Sequence, residues 1–192
     1  MKIDWYTLMF NEQDIIPYVI DYWERLMECG IDLHVIIYDN ESTDDSVRIL
    51  SRYGWIEVRS FHTVGMNDIV HAEIKNNCWK DSKGKSDFVV VADFDEILWG
   101  NLSEELQAMK DGGCNVMGTK WYAFCGDKMP EYTKGKYLHQ LVKYGYRQHI
   151  NHMDEYAYLG KFMVIDPNKT ETMNWSVGNH IWVPKPKIDL YE

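Results

Sequence analysis

Apolar positions in the first half of the chain follow two alternating rhythms. Unbroken runs at Trp5 to Phe10, Leu33-His34-Val35-Ile36-Ile37-Tyr38, Ile56 to Phe61 and Asp87-Phe88-Val89-Val90-Val91-Ala92 read as strands, the second rich in branched residues as a buried parallel strand is. Between them apolar residues recur at helical spacing. Ile15, Val19, Tyr22, Trp23 and Leu26 form one stripe, with Pro17 tolerable only near the helix start and Gly30 as its stop. Val47, Leu50 and Tyr53 form a second, with Ser42 or Thr43 as cap and Gly54 as terminator, and Asn67 to Trp79 forms a third.

This order predicts an α/β fold with a mostly parallel central sheet flanked by helices, because parallel neighbours need crossover connections. Past Gly100 the rhythm loosens. Ser103 to Lys110 reads as a helix, and Val116 to Trp121, Leu138 to Tyr144 and Lys161 to Ile165 read as strands of a less regular half. A length of 192 residues fits one domain. Ligands of such sheets bind beyond the carboxyl ends of the strands. That rule singles out Asn11-Glu12, Asp39-Asn40-Glu41, the loop from His62 to Asn67, and Asp93-Phe94-Asp95-Glu96, where polar and acidic residues gather.

Composition narrows the partners. Twenty Lys and Arg against thirty Asp and Glu leave a formal charge of −10, which argues against a nucleic-acid groove or a polybasic membrane face. Cys29, Cys78, Cys114 and Cys125 lie far apart without a CxxC pair, the pattern of buried thiols in a reducing compartment. The start carries no apolar leader and no window approaches a membrane span, so the expectation is a soluble cytoplasmic chain, peripheral to a membrane at most. The Pro184-Lys185-Pro186-Lys187 stretch has linker character, compatible with further domains of a longer chain.

The sharpest chemical feature is Asp93-Phe94-Asp95 directly after an apolar strand. At a strand end two carboxylates can converge on one hard divalent cation, Mn²⁺ or Mg²⁺, which leaves room for substrate phosphates. Asp39, at another strand end, can accept a hydrogen bond from the imide N–H of uracil, with Asn40 and Glu41 addressing ribose or fixing the loop; helix capping is the alternative role.

Asn11-Glu12, the run Asp39-Asn40-Glu41-Ser42-Thr43-Asp44-Asp45-Ser46 and Ala92-Asp93-Phe94-Asp95-Glu96, in this order and spacing over residues 3 to 99, resemble the nucleotide-binding half of GT-A-fold (Rossmann-like) glycosyltransferases of the family 2 kind. Within that group the likeness is to domains that build surface polysaccharides, capsules or the glycans of large algal viruses. The resemblance implies a nucleotide-sugar-binding half at 1–99 and an acceptor-binding half at 100–192. It places Phe10, Asn11, Glu12, Asp39, Asn40, Glu41, Asp93, Phe94 and Asp95 around the nucleotide, with His71 and Lys75 where relatives often carry a basic residue for the diphosphate. Gly178-Asn179-His180 resembles the late histidine that completes the metal shell, making Asp93, Asp95 and His180 the implied ligands. The implied reaction is attack of a glycan hydroxyl on a UDP-hexose, the inverting version by resemblance, with Asp154, Glu155 or Asp127 as base.

Competing readings are a non-catalytic module that binds nucleotide sugar or glycan, and a phosphohydrolase with an aspartyl nucleophile. Against the latter, Glu96-Ile97-Leu98 follows the motif where Thr or Val is usual, and the motif lies after the fourth strand. His149 and His152, beside Asp154 and Glu155, form a further H-x-x-H candidate for metal, and Trp121, Tyr122, Trp175 and Trp182 are candidates for stacking on sugars.

Overall fold

The structure, a computed structural model, describes residues 1–120, 122–142, 144–146, 160–176 and 190–191. Strand β1 (Lys2–Met9) lies between β2 (Asp32–Asp39) and β4 (Phe88–Asp93), parallel to both, and β3 (Ile56–Ser60) adds outside β2. On the far side of β4, β8 (Gly160–Ile165) runs antiparallel, followed by β5 (Val116–Lys120) and β9 (Leu190–Tyr191). Among the described residues the sheet order is therefore β3-β2-β1-β4-β8-β5-β9. The chain leaves β1 in one direction toward β2 and later crosses back to β4, so the switch point of the sheet falls between the ends of β1 and β4.

Both faces of the sheet are covered, which is why its strands read as continuous apolar runs. Trp5, Val35, Ile37, Val90 and Ala92 face one cluster with α1 (Ile16–Glu28) and α4 (Leu102–Asp111). The alternate residues Tyr6, Ile36, Val89 and Val91 face a second cluster with Trp79, Met173 and Trp175. Helix α1 is anchored by Trp23, whose ring meets Trp5, Trp55 and Phe94 edge-on at 6.2, 6.0 and 5.9 Å. Burying side chains of this size stabilises by roughly 1.5–3 kcal/mol each. Pro17 sits in the first turn of α1, and Gly30 ends the connection at φ 87. Helix α3 (Asp68–Cys78) starts where Asn67 accepts a hydrogen bond from the Val70 N–H at 3.2 Å.

Three sequence expectations change. Helix α2 is only Ser46–Leu50, and Ser42 and Thr43 do not cap it; Asp44 Oδ1 instead accepts from the Ser46 N–H at 2.9 Å. Residues 138–144 do not form a strand: Leu138–Leu141 is a one-turn helix, α5, and the strand β7 is Tyr144–Tyr146, paired antiparallel with β6 (Ala123–Cys125). Of the cysteines only Cys78 is buried, with Cys114 intermediate and Cys29 and Cys125 exposed. No helix among the described residues is long and apolar enough to cross a membrane.

Candidate active site

The loops leaving β1, β2 and β3 are bonded into one shelf at the carboxyl edge of the sheet. Asn11, at φ 56, donates its backbone N–H to Ser42 Oγ at 2.9 Å, and its side-chain Oδ1 accepts from the Thr43 N–H at 2.7 Å. The Glu12 and Gln13 N–H groups donate to Ser46 Oγ and Asp44 Oδ2 at 2.9 and 3.1 Å. These bonds explain the missing cap, since the hydroxyls of Ser42 and Thr43 are drawn to β1's loop. Asn40 then clasps the third loop, accepting from the Thr63 N–H at 2.8 Å and donating to Thr63 Oγ1 at 2.9 Å. Glu41, also at φ 56, meets His62 Nδ1 at 2.7 Å. Asp39, 5% exposed, sits under this shelf and accepts from Ser42 Oγ at 2.6 Å.

Asn11→Ala is expected to lower stability by about 2 kcal/mol, through lost hydrogen bonds and because alanine lacks the side-chain amide that lets asparagine tolerate a positive φ. Asn11→Gly, which keeps the backbone freedom, costs less. A urea-unfolding midpoint for each variant checks this order.

The Asp93-Phe94-Asp95 turn divides its three side chains. Phe94 is 3% exposed and packs on Trp23 in the core, which fixes the turn from below. Asp93 is drawn into an ion cluster: its Oδ1 accepts from Lys75 Nζ of α3 at 2.5 Å and its Oδ2 from Lys161 Nζ of β8 at 2.7 Å. Lys161 also pairs with Glu96 at 2.5 Å, and Glu96 Oε2 accepts the Asp93 N–H at 3.0 Å. Burial opposes charge on Asp93, yet the two ammonium groups prevail and hold its carboxyl down to about 2. Asp95 is exposed, and among the described residues no hydrogen bond or ion pair engages its carboxylate. Across the switch point, Glu12 is pushed up to about 7, by burial first and then by the charges of Asp95 and Asp44. Glu12 and Asp95 are thus two neighbouring carboxyl groups with no ion-pair partner among the described residues, beside Asp93 and Glu96, which lysines neutralise.

The remaining predicted residues fall as follows. Phe10 is 52% exposed at the end of β1. Lys75, the expected diphosphate contact, is 5% exposed and committed to Asp93. His71 is half-buried beside Phe61, and burial, followed by the Lys75 charge, lowers its pKa. Asp127 lies in an exposed turn after β6. Trp175 is a core residue and Tyr122 is 53% exposed. Asp154, Glu155, His180, His149, His152, Trp121 and Trp182 lie outside the described residues. Lys161 and Glu96 are the site residues that sequence reasoning passed over. Lys161 had a signal: it shares strand parity with Met163 and Ile165, so a lysine stands at a buried position of an apolar strand.

The oxygen donors of Glu12 and Asp95 suit a hard divalent cation, which would offset both the burial and the repulsion that raise Glu12. Among the described residues no group of three His, Cys, Asp or Glu is arranged to hold a metal. A mostly parallel sheet with polar and acidic residues at its switch point is the architecture in which open α/β domains place their ligands. The chain belongs to glycosyltransferase family 92, whose family model matches residues 7–183. No curated protein matches the chain.

Among solved structures, the chain is similar to S. aureus TarS 1-349, at 17% identity and a TM-score of 0.44, covering 61% of this chain and 34% of that one. A longer S. aureus TarS structure is 19% identical with a TM-score of 0.46, covering 68% of this chain and 23% of that one. The mannosyltransferase PcManGT from Pyrobaculum calidifontis, in complex with GDP-Man and Mn2+, is 16% identical with a TM-score of 0.41, covering 60% and 34%. The chain spans about a third or less of these proteins' lengths.

Proposed function

We propose that this glycosyltransferase is of the GT-A type and moves a hexose from a UDP-sugar to a glycan hydroxyl with inversion, in polysaccharide synthesis, using Mn²⁺ or Mg²⁺. The observation that carries the proposal is the placing of Glu12 and Asp95 together at the switch point, where burial first and the Asp95 charge second push Glu12 up to about 7. In this reading Asp95 and His180 hold the cation, and Glu12 lies beside it near the ribose. Asp93 was expected as a ligand too, but both its oxygens already accept ammonium groups. Its proposed role is therefore to anchor the turn that aims Asp95. Asp39 is proposed to set the uridine preference through the turn it anchors with Ser42.

A bound cation would stabilise charge on the departing diphosphate. The chain's own part is to position donor and acceptor and to take a proton. The acceptor oxygen forms a bond to the anomeric carbon as the bond from that carbon to the diphosphate oxygen breaks. UDP leaves with the electron pair, and the hydroxyl proton passes to a carboxylate, for which Asp154, Glu155 and Asp127 are the candidates.

Release of UDP from a panel of UDP-hexoses, with and without Mn²⁺ and with a range of glycan acceptors, tests the proposal. Metal-dependent release that rises with acceptor is the expected result. Nucleotide binding with no release under any condition would instead support a binding module.

A further inference from the structure

A second group of side chains near the site has no part in the donor chemistry. Trp99 and Phe124 are 70% and 51% exposed, large values for aromatic residues, and they belong to one continuous cluster. Trp99 stands edge-on to His139 at 4.4 Å and to Tyr137 at 5.5 Å. Tyr137 and His139 are stacked at 5.4 Å with an interplanar angle of 16°, and Phe124 lies 5.5 Å from His139. The arrangement is built on firm supports. Tyr22, in α1, both donates to the Leu98 carbonyl and accepts from the Leu98 N–H, at 3.1 and 3.2 Å, pinning the residue before Trp99. Arg25 places its guanidinium 4.1 Å from the Tyr137 ring centre, and Asp21 accepts from the Gly135 N–H at 2.7 Å. The ring of Phe124 lies over Gly145, where a Cβ would come within 2.9 Å of it.

We infer that Trp99, His139 and Phe124 form a platform for a neutral oligosaccharide, the acceptor chain of the transfer reaction. Three observations select this occupant. Trp99 follows Asp95 by four residues, which keeps their Cα atoms within about 14 Å even at full extension, so the platform lies within the reach of an oligosaccharide from the proposed reaction centre. The exposed surface is aromatic, with His139 and the Trp99 indole as polar groups, the mixture of apolar faces and few directional groups that orients an amphipathic ligand. None of Trp99, His139 and Phe124 carries a carboxylate or ammonium group, the Arg25 guanidinium is taken up against the Tyr137 ring, and burial favours the neutral form of His139, which suits a neutral chain. The inference rests on the glycosyltransferase reading of the site, because it takes the acceptor of that reaction as its occupant.

The test uses the full chain labelled with ¹⁵N at tryptophan indoles, with the Trp99 signal assigned by its loss in Trp99→Phe. Maltotriose, cellotriose, mannotriose, a β-linked galactotriose and triacetylchitotriose are titrated separately. At least one is expected to shift the Trp99 signal to saturation, with its Kd, read by isothermal titration calorimetry in parent and variants, raised about tenfold in Trp99→Ala and much less in Trp99→Phe, which keeps an aromatic face. The inference is overturned if no trisaccharide moves the signal, or if Trp99→Ala binds as tightly as the parent. It is also overturned if the signal shifts with protein concentration alone, which would make the patch a contact between copies. UDP with Mn²⁺, titrated into the same sample, reports separately on the donor reading: sugar binding without UDP binding removes that reading and leaves a glycan-binding surface.

Discussion

Lys161→Met is expected to destabilise the protein by about 2–3 kcal/mol, seen as a lower urea midpoint at an unchanged slope. Lys161 is 5% exposed and its ammonium bridges Asp93 at 2.7 Å and Glu96 at 2.5 Å. Removing it leaves two carboxylates beside each other in a partly desolvated turn. Breaking a fully buried pair costs about 3–5 kcal/mol. The smaller figure follows because the Asp93 side chain is 39% exposed and keeps Lys75. Glu96→Gln in the Lys161→Met background is expected to restore part of the loss, with a coupling energy above about 1 kcal/mol in the double-mutant cycle. A loss under about 0.5 kcal/mol with additive effects would mean that the cluster behaves as an ordinary surface pair.

Asp95→Ala is expected to reduce metal-dependent turnover of the UDP-sugar by about 10²–10³-fold while leaving the unfolding midpoint unchanged. The side chain is exposed and supports no contact of the fold among the described residues, so stability and activity separate cleanly at this position. The neighbouring positions behave differently. Phe94 is core and Asp93 anchors the ion cluster, so substitutions there lower stability along with activity. Turnover of Asp95→Ala within about threefold of the parent would remove Asp95 from the cation site.

Much of the first half was legible because its signals are local. The apolar runs that became β1 to β4 bury alternate residues on two covered faces, and the stripe with Pro17 and Gly30 became α1 nearly as read. The acidic and amide residues at the strand ends did gather at one edge. What they do there was less legible. Ser42 and Thr43 have good capping chemistry, but Asn11, more than thirty residues away, competes for them through the shelf. Asn11, Asn40 and Glu41 act as clasps between loops in the fold, the loop-fixing role that the sequence left open for Asn40 and Glu41 beside contact with ribose. The ion cluster was hidden for a related reason. Lys161 reaches Asp93 only because β8 pairs antiparallel with β4, a contact 68 residues apart in sequence. Leu138 to Tyr144 reads as a strand because scattered apolar residues such as Leu138, Leu141, Val142 and Tyr144 over so short a segment suit a strand as well as a one-turn helix.

The most direct test of the central claim is a crystal structure of the chain with UDP and Mn²⁺. The account predicts the ion within coordination distance of Asp95, the diphosphate in the crevice between the ends of β1 and β4, and the uridine on the shelf anchored by Asp39 and Asn11. An empty crevice at saturating ligand, or UDP bound at a different face of the sheet, would contradict it.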